Sequence, residues 1–542
     1  MIDPMVSSYE QMVFDAVTRL ENRIGRTRVV VQVGQCSASV GASLLADELK
    51  NGLNVGDVDV VKTGCDGACF AAPQVIVNYQ SGNVSYFQNV NYTDLTEIRN
   101  SLVNNECRKP GVNLERFFSL QHLSLMSGVG DIDPYSLDEY LSYGGYHGLL
   151  KALCMTPADV TLEVAQSGLL GRGGAYFPTS RKWETARNTD SPERFLVVNA
   201  EEGEPGLFKD RHILEGMPHR LLEGALIAAY ASGCSKCYVY VNAEANLSSA
   251  RLSEAIRVAQ ATGLIGNHIL GSDFNCTVEL RIGAGGYVCG EETTLINTME
   301  GVRREPRLKP PFPVESGLFQ KPTVINNVET LANVPAILLN GATSFAQIGL
   351  PEATGTKLYS LSGSVCRPGL MELPMGATLR QIVVDVGGGN LPEKSAKLLA
   401  VGGPSSGVLP ISEIDTQMKP GWLHESGVVM GGGGVIVLDE EVPVKEVVRS
   451  LAQYNASESC GKCTPCREGT PRVVEMLSQL EEDDDSTKTI QDLELLSDIL
   501  AGASLCGLGQ MAGNIVKSGL YFFRDELTGK NEKMKCNGTH IQ

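Results

Sequence analysis

Seven of the fifteen cysteines fall in two tight groups, the arrangement a protein uses for metal or redox chemistry. In CGKCTPCREG, Cys460, Cys463 and Cys466 follow a C-x-x-C-x-x-C spacing, and Cys506 stands further on in SLCGLG. One short loop can turn three thiolates toward three corners of a cubane cluster, so a fourth thiolate has to arrive from another segment. Cys506 follows a predicted helix over Ile490–Ala501 and can supply it. Lys462 and Arg467 stand beside these ligands and would offset the negative charge of a thiolate-bound cluster. Zinc is the competing occupant. Structural zinc sites usually pair C-x-x-C units across larger gaps, so the spacing favours [4Fe–4S]. The second group is Cys36 with Cys65 and Cys69, the latter two in GCDGAC. Cys234 and Cys237, in CSKC, lack the helix N-terminus that activates a dithiol and are expected to be structural thiols. The seven His form no ligand pair and are given no role; Trp183 and Trp422 are expected to be packing residues.

Three further motifs could hold a nucleotide or flavin. In GLLGRGGAYFPTSRKW, Gly171, Gly173 and Gly174 leave room for backbone to press on a planar ring or a phosphate, and Lys182 could answer an anion. Gly-rich turns between strand and helix are common, so this motif alone is weak. In VVNAEEGEPGLFKDR a strand ends at Asn199, and Glu201, Glu202 and Glu204 crowd a turn fixed by Pro205 and Gly206. Acidic turns are usually just solvated, but α/β folds bind ligands at such strand ends, where a carboxylate can accept hydrogen bonds from ribose hydroxyls. GAGGYVCGEETTLINTMEG has the wrong glycine spacing for a G-x-G-x-x-G dinucleotide turn.

The elements that must position these residues follow from the patterning. At 542 residues the chain is long enough for roughly three to four domains. Arg28–Val33 and Val75–Tyr79 are β-branched runs, with a helix expected over Ser43–Asn51, and the polar Asn104–Gly111 breaks the pattern as a linker. From about 150 to 340, strands such as Arg194–Val198 alternate with helices such as His219–Ala231, an α/β rhythm. Residues 355–440 read as a β-rich module around one helix, Leu379–Asp385, and the chain is helical from Val442, with Glu481–Asp485 as a solvated loop. The fold class is therefore multidomain α/β. The boundaries are 1–110, a linker at 111–150, an α/β domain at 151–345, a β-rich module at 346–440 and a helical domain at 441–542. A net charge of −18 argues against a nucleic-acid partner. The N-terminus lacks a basic stretch followed by an apolar core, and no window approaches the ~18 apolar residues of a membrane span. A cytoplasmic protein without membrane contact is expected.

Taken in order, GRGGAYFPTSRKW, NAEEGEPGLFKDR, GGYVCGEETTLINTMEG, RLKPPFPVESGLFQKPTVINNVET and SCGKCTPCREGT…SLCGLG resemble the flavin-carrying, NADH-oxidising subunit of respiratory complex I. They are equally similar to its soluble relatives in NAD-linked hydrogenases and formate dehydrogenases. The resemblance spans about residues 150–525. It implies FMN held by Gly171, Arg172, Gly173, Lys182, Asn199, Glu201, Tyr287, Gly290, Glu291, Glu292, Asn326 and Asn327. NADH would stack near Phe177, Glu202 and Glu204. It also implies a Rossmann-like flavin domain, a β-grasp-like module and a helical bundle around the cluster. Glu201 replaces the usual Asp, and Glu184 and Thr185 stand where relatives often carry an aromatic residue.

The N-terminal unit resembles a thioredoxin-like [2Fe–2S] domain found in the companion subunit. Cys36, Cys65 and Cys69 match three ligands, while the second ligand position falls on Gly41. Ser37, Ser39 or water could complete a [2Fe–2S] cluster; a cluster-free relic is the alternative. The implied activity is an NADH:acceptor oxidoreductase, or diaphorase. Hydride passes between NAD(H) and FMN, which exchanges single electrons with the [4Fe–4S] cluster, and no catalytic side chain is required. The expected setting is a soluble multi-subunit hydrogenase or formate dehydrogenase, with an electron-bifurcating one among the candidates. It would include a companion [2Fe–2S] subunit and a cluster-rich subunit. The alternatives are the NADH-input subunit of complex I and a non-catalytic wiring subunit. No C-x-x-C-x-x-C-x-x-x-C motif follows Cys506.

Overall fold

β-Branched runs and Gly-rich turns divide the described residues into three larger sheets, a two-stranded ribbon of Gly349–Leu350 and Ala353–Thr354, and a set of helices that follows them. The computed structural model describes residues 4–21, 25–52, 58–480 and 486–529. The acidic run Glu481–Asp485 lies outside them. The first sheet contains β1 (Thr27–Gln32), β2 (Val58–Thr63), β3 (Val75–Asn78) and β4 (Val84–Phe87) in the order β2-β1-β3-β4. β1 and β2 are parallel, and the other pairs are antiparallel. Its Val29, Val31 and Val77 pack on Leu45 and Leu49 of a helix at Ala42–Gly52 and on Ile98 of another at Leu95–Asn104. The polar stretch after that helix runs beside β4, where Tyr86 donates its N–H to the Arg108 carbonyl at 2.9 Å.

An N-terminal helix, Pro4–Glu21, was not foreseen. It leaves the first sheet and packs on the central unit, where Tyr9 and Ala16 join the largest core and the Tyr9 hydroxyl donates to the Gly145 carbonyl at 3.0 Å. Residues 111–150, expected as a linker, likewise send Leu125, Met126, Ile132, Leu141 and Leu149 into that core. Buried Glu372 pins their loop by accepting the N–H groups of Ser124, Leu125 and Met126 at 2.8–2.9 Å.

The central sheet holds β5 (Phe195–Ala200), β6 (Lys236–Val241), β7 (Thr277–Ile282) and β8 (Thr323–Asn327) in the order β7-β6-β5-β8, all parallel. Parallel neighbours need helical crossovers, which bury both faces. The helix Pro218–Ser232 is apolar nearly all round and buried accordingly. Trp183 is fully buried, as expected, and its indole N–H donates to Asn326 Oδ1 at 2.8 Å. Trp422 differs, being 64% exposed.

The third sheet takes β9 (Thr356–Gly363), β10 (Gly369–Pro374), β11 (Ala396–Val401), β12 (Val408–Pro410) and β13 (Gly434–Asp439) in the order β10-β9-β13-β11-β12. The helix expected at Leu379–Asp385 is mostly a π-helical turn, Gln381–Val386. The chain closes with helices at Val444–Ser457, Thr464–Gln479, Thr487–Ala503, Gly507–Met511 and Asn514–Leu527, joined by a core including Val448, Val473, Leu493 and Ile515. Among the described residues, no helix is long and apolar enough to cross a membrane.

Candidate functional site

The carboxyl ends of β5 and β8 open onto a cradle, the place where parallel sheets bind ligands. Asn199, near the end of β5, donates its side-chain N–H to the Gly290 carbonyl at 2.8 Å and accepts from Glu201 N–H at 3.1 Å. This knots the acidic turn to the Tyr287–Glu292 loop. A Cβ added at Gly173 would meet Asn327 Cβ at 3.2 Å, and one at Gly174, whose φ is +111°, would meet the Gly431 backbone at 3.3 Å. A Cβ at Gly283 would stand 3.0 Å from Glu201 Oε2. These glycines keep the floor of the cradle bare. Tyr176, in the first motif, donates its hydroxyl to the Gly431 carbonyl at 2.8 Å, drawing the 431–433 glycine run onto the rim.

The three turn carboxylates have three different fates. Glu202 caps the helix Lys209–Gly216, accepting the N–H groups of Lys209 and Asp210 at 2.8 Å and of Arg211 at 3.1 Å. Its two oxygens are thereby engaged with the start of that helix. Glu201 accepts from the Asn242 amide through one oxygen, while Oε2 is buried without a partner. Burial pushes its carboxyl up to about 7. Glu204 is half-buried, with its Oε1 buried and unpartnered, and desolvation outweighs nearby Lys209 to push its carboxyl up to about 8. Unpartnered buried acceptors cost free energy unless a ligand satisfies them, so this pair fits a flavin or nucleotide that brings hydroxyl donors.

Two lysines rim the site. Lys182 Nζ lies 3.1 Å from Glu292 and donates to the Ile325 carbonyl at 3.2 Å. Lys309, which the sequence reading missed although it lies in RLKPPFPVESG, pairs with Glu292 at 2.9 Å and Glu291 at 3.1 Å. Burial opposes ionisation of Glu292, yet the two ammonium groups hold it down to about 2. Glu291 is the N-cap of the helix Glu292–Met299, accepting from Thr293 and Thr294 N–H groups at 2.9 and 2.8 Å. Arg172 departs from expectation. Its guanidinium is buried and donates to the carbonyls of Leu170, Thr354 and Thr356, so it clamps β9 to the first motif instead of facing the cradle. Asn327 is held by Asp210 at 2.6 Å and by Lys209 at 3.2 Å. Phe177 is half exposed, at 48%, and open to a partner ring.

The four C-terminal cysteines meet on the far side of the Tyr287–Glu292 loop. Cys460, Cys463 and Cys506 pack with Cys466 against Val288 and Leu508, with Tyr287 alongside. Cys463 and Cys506 are the N-caps of the helices Thr464–Gln479 and Gly507–Met511, and Leu508 and Gly509 N–H groups donate to Cys506. Such positive ends favour thiolate charge. Ligand atoms around one zinc stand roughly 3.8 Å apart, from bonds of about 2.3 Å. Among the described residues, no three of these sulfurs lie within 4.8 Å of one another, whereas single ligand atoms of Cys65, Cys69 and His212 do. The wider set fits a cluster better than a single ion. Lys462 and Arg467 are turned outward. Lys462 donates to the Pro306 carbonyl at 2.7 Å, and Arg467 donates to the Gly461 carbonyl at 3.0 Å. They brace the loop.

At the N-terminal corner Cys65 is buried, Cys69 half-buried and Cys36 exposed. The seven His are expected to form no ligand pair with one another; one of them, His212, places a ring nitrogen within 4.8 Å of the Cys65 and Cys69 sulfurs. No sequence spacing links it to GCDGAC, so the signal was absent from either segment alone.

Residues 164–336 match the Nuo51 FMN-binding domain, and residues 446–530 match the NADH-ubiquinone oxidoreductase-F iron-sulfur binding region. The NADP-reducing hydrogenase subunit HndC of Solidesulfovibrio fructosivorans is 44% identical over 75% of this chain and 83% of its own. The NADH-quinone oxidoreductase F protein of Escherichia coli K12 is 40% identical over 76% of this chain and 93% of its own. A chain of an air-oxidized NAD+-reducing [NiFe]-hydrogenase superposes with a TM-score of 0.65 at 29% identity, covering 93% of this chain and 85% of its own.

Proposed function

This chain belongs to the family of NADH-quinone oxidoreductase F proteins and their hydrogenase relatives, and from that membership we propose how its own residues divide the work. The family activity is NADH-dependent flavin and iron–sulfur oxidoreduction. We assign the first sheet and its helices, within 1–110, to a thioredoxin-like domain, and 111–150 to a segment packed on a Rossmann-like flavin domain, 151–345. A β-grasp-like module, 346–440, and a helical cluster domain, 441–542, follow.

FMN, when bound, takes two electrons as hydride and returns them singly. The chain's task is to hold and orient. Gly171, Gly173 and Gly174 admit the ring system, and Lys182 answers the phosphate. Asn199, Asn326 and Asn327 shape the cradle wall, and Glu201 Oε2 accepts from a hydroxyl. Phe177 and Glu204 receive the nucleotide. With its carboxyl pushed up to about 8, Glu204 is mostly protonated at neutral pH and can both donate and accept. Cys460, Cys463, Cys466 and Cys506 would hold [4Fe–4S], and Cys36, Cys65 and Cys69 a [2Fe–2S] cluster. The observation that carries this reading is the Tyr287–Glu292 loop. Its Gly290 carbonyl is tied to Asn199 of the cradle, while Val288 lies among the four cysteines.

Among parent assemblies, a soluble NAD-linked hydrogenase or formate dehydrogenase, in the cytoplasm and with a cluster-rich partner, is favoured over complex I. A chain of an NAD+-reducing [NiFe]-hydrogenase superposes over 93% of this one, which supports that choice. Acid extraction of the purified chain followed by chromatography tests the flavin assignment. FMN is expected, and FAD or no flavin would overturn it. Subunits that co-purify identify the parent assembly.

A further inference from the structure

The N-terminal metal corner has a donor that its own segment lacks. Cys65, Cys69 and His212 place one ligand atom each within 4.8 Å of one another. His212 comes from the helix Lys209–Gly216, which follows the acidic turn of the flavin domain. Its Nδ1 lies 2.6 Å from the Phe208 carbonyl. A carbonyl only accepts, so Nδ1 carries the proton and Nε2 presents its lone pair toward the two sulfurs. Histidine ligands of metals are held in this way, with the second ring nitrogen donating to a carbonyl or carboxylate. The same helix grips the short helix Gln35–Ser39, which carries Cys36. Arg211 Nη2 stands 3.8 Å from Cys36 Sγ, and Glu215 accepts the Gln35 N–H at 2.8 Å. A Cβ at Gly34 would meet Cys65 Cβ at 3.1 Å, so Cys36 is tethered next to the trio.

We infer that His212 is a metal ligand, completing with Cys36, Cys65 and Cys69 a mixed thiolate–imidazole centre built across two units of the chain. The inference rests on the reading that this corner holds metal, and it supplies the donor that Gly41 cannot. Three thiolates and one imidazole suit a thiophilic metal, either the iron of a [2Fe–2S] cluster or a single zinc. The close spacing of the trio suits either one ion or one pole of such a cluster. A centre ligated from the helix that also bears Lys209 and Asp210, which hold Asn327, is mechanically coupled to the flavin cradle.

The full chain, purified anaerobically, tests this by metal analysis and by pulsed paramagnetic resonance with histidine labelled in nitrogen-15. The iron outcome is about two iron atoms per chain beyond the C-terminal cluster, with imidazole-nitrogen coupling on the second resonance. His212→Ala should then lose that iron, and His212→Cys should keep it while abolishing the nitrogen coupling. The zinc outcome is about one zinc per chain, lost in His212→Ala and kept in His212→Cys; it would retain His212 as ligand and defeat the [2Fe–2S] reading. Two results overturn the inference: a second centre that persists unchanged in His212→Ala, or a chain with neither extra iron nor zinc.

Discussion

The two cysteine-bearing regions teach opposite lessons about how a metal site is written into a chain. The C-terminal nest draws three ligands from one loop and the fourth from a segment of the same helical unit. The N-terminal corner draws two sulfurs from one loop, a third from the short helix Gln35–Ser39, and an imidazole from the flavin domain. A site written in one stretch survives as a motif; a site assembled by packing exists only once the units have docked. The first should therefore depend on its ligands alone, and the second also on whatever anchors the helix Lys209–Gly216.

The largest expected effect falls on the nest. Cys506→Ala should remove the [4Fe–4S] iron and cut electron delivery to a one-electron acceptor by more than about 100-fold, beyond the roughly 10- to 100-fold that losing an outer-shell partner of a metal costs. Iron per chain and acceptor assays check this; full activity with Cys506 absent would dissolve the distinction. Next comes the anchor. Glu202→Ala removes the cap that accepts three N–H groups at the start of the His212 helix and should cost about 1–2 kcal/mol, in the range for lost caps. Metal should leave the N-terminal corner first in a chelator titration, with the C-terminal cluster intact. Simultaneous loss of both centres would contradict the anchoring role.

A smaller effect concerns Glu204, which serves neither centre. Its folded pKa of about 8 lies above the ordinary 4.5, so the unliganded fold favours the protonated form. That contribution is complete below pH 4.5 and is lost as pH rises toward 8, because the folded state then holds more protons than the unfolded one. Glu204→Gln should flatten this fall, leaving the unliganded variant about 3 °C more stable than the parent at pH 9 in a thermal melt. An unchanged pH profile would place its burial elsewhere. The smallest effect is on nucleotide choice. Above pH 8 the ionised Glu204 should repel a 2′-phosphate, raising the NADH over NADPH preference roughly two- to fivefold, as for a part-screened charge pair. Steady-state kinetics at pH 6.5 and 9 with both nucleotides measure it, and a flat preference would exclude that contact.

How much was legible follows the same division. The C-x-x-C-x-x-C loop, the parallel-strand rhythm and the glycine and acidic turns carry their meaning in local spacing, and the structure brings them to one cradle and one nest. The N-terminal helix Pro4–Glu21 was missed because its partners lie more than a hundred residues on, at Asp138 and Gly145. Residues 111–150 read as a linker because their pins, such as Glu372, come from a distant strand. Arg172 and Glu202 sit inside ligand-like motifs, yet each satisfies buried backbone groups, a commitment that only packing reveals. His212 belongs with them, a ligand without a motif.

The most direct test of the central claim, that electrons enter at the cradle and leave through the nest, uses the chain stripped of its flavin. Anaerobic NADH should leave the C-terminal cluster oxidised in that preparation, and adding FMN should restore its reduced paramagnetic signal. A cluster that NADH reduces without flavin would contradict the claim.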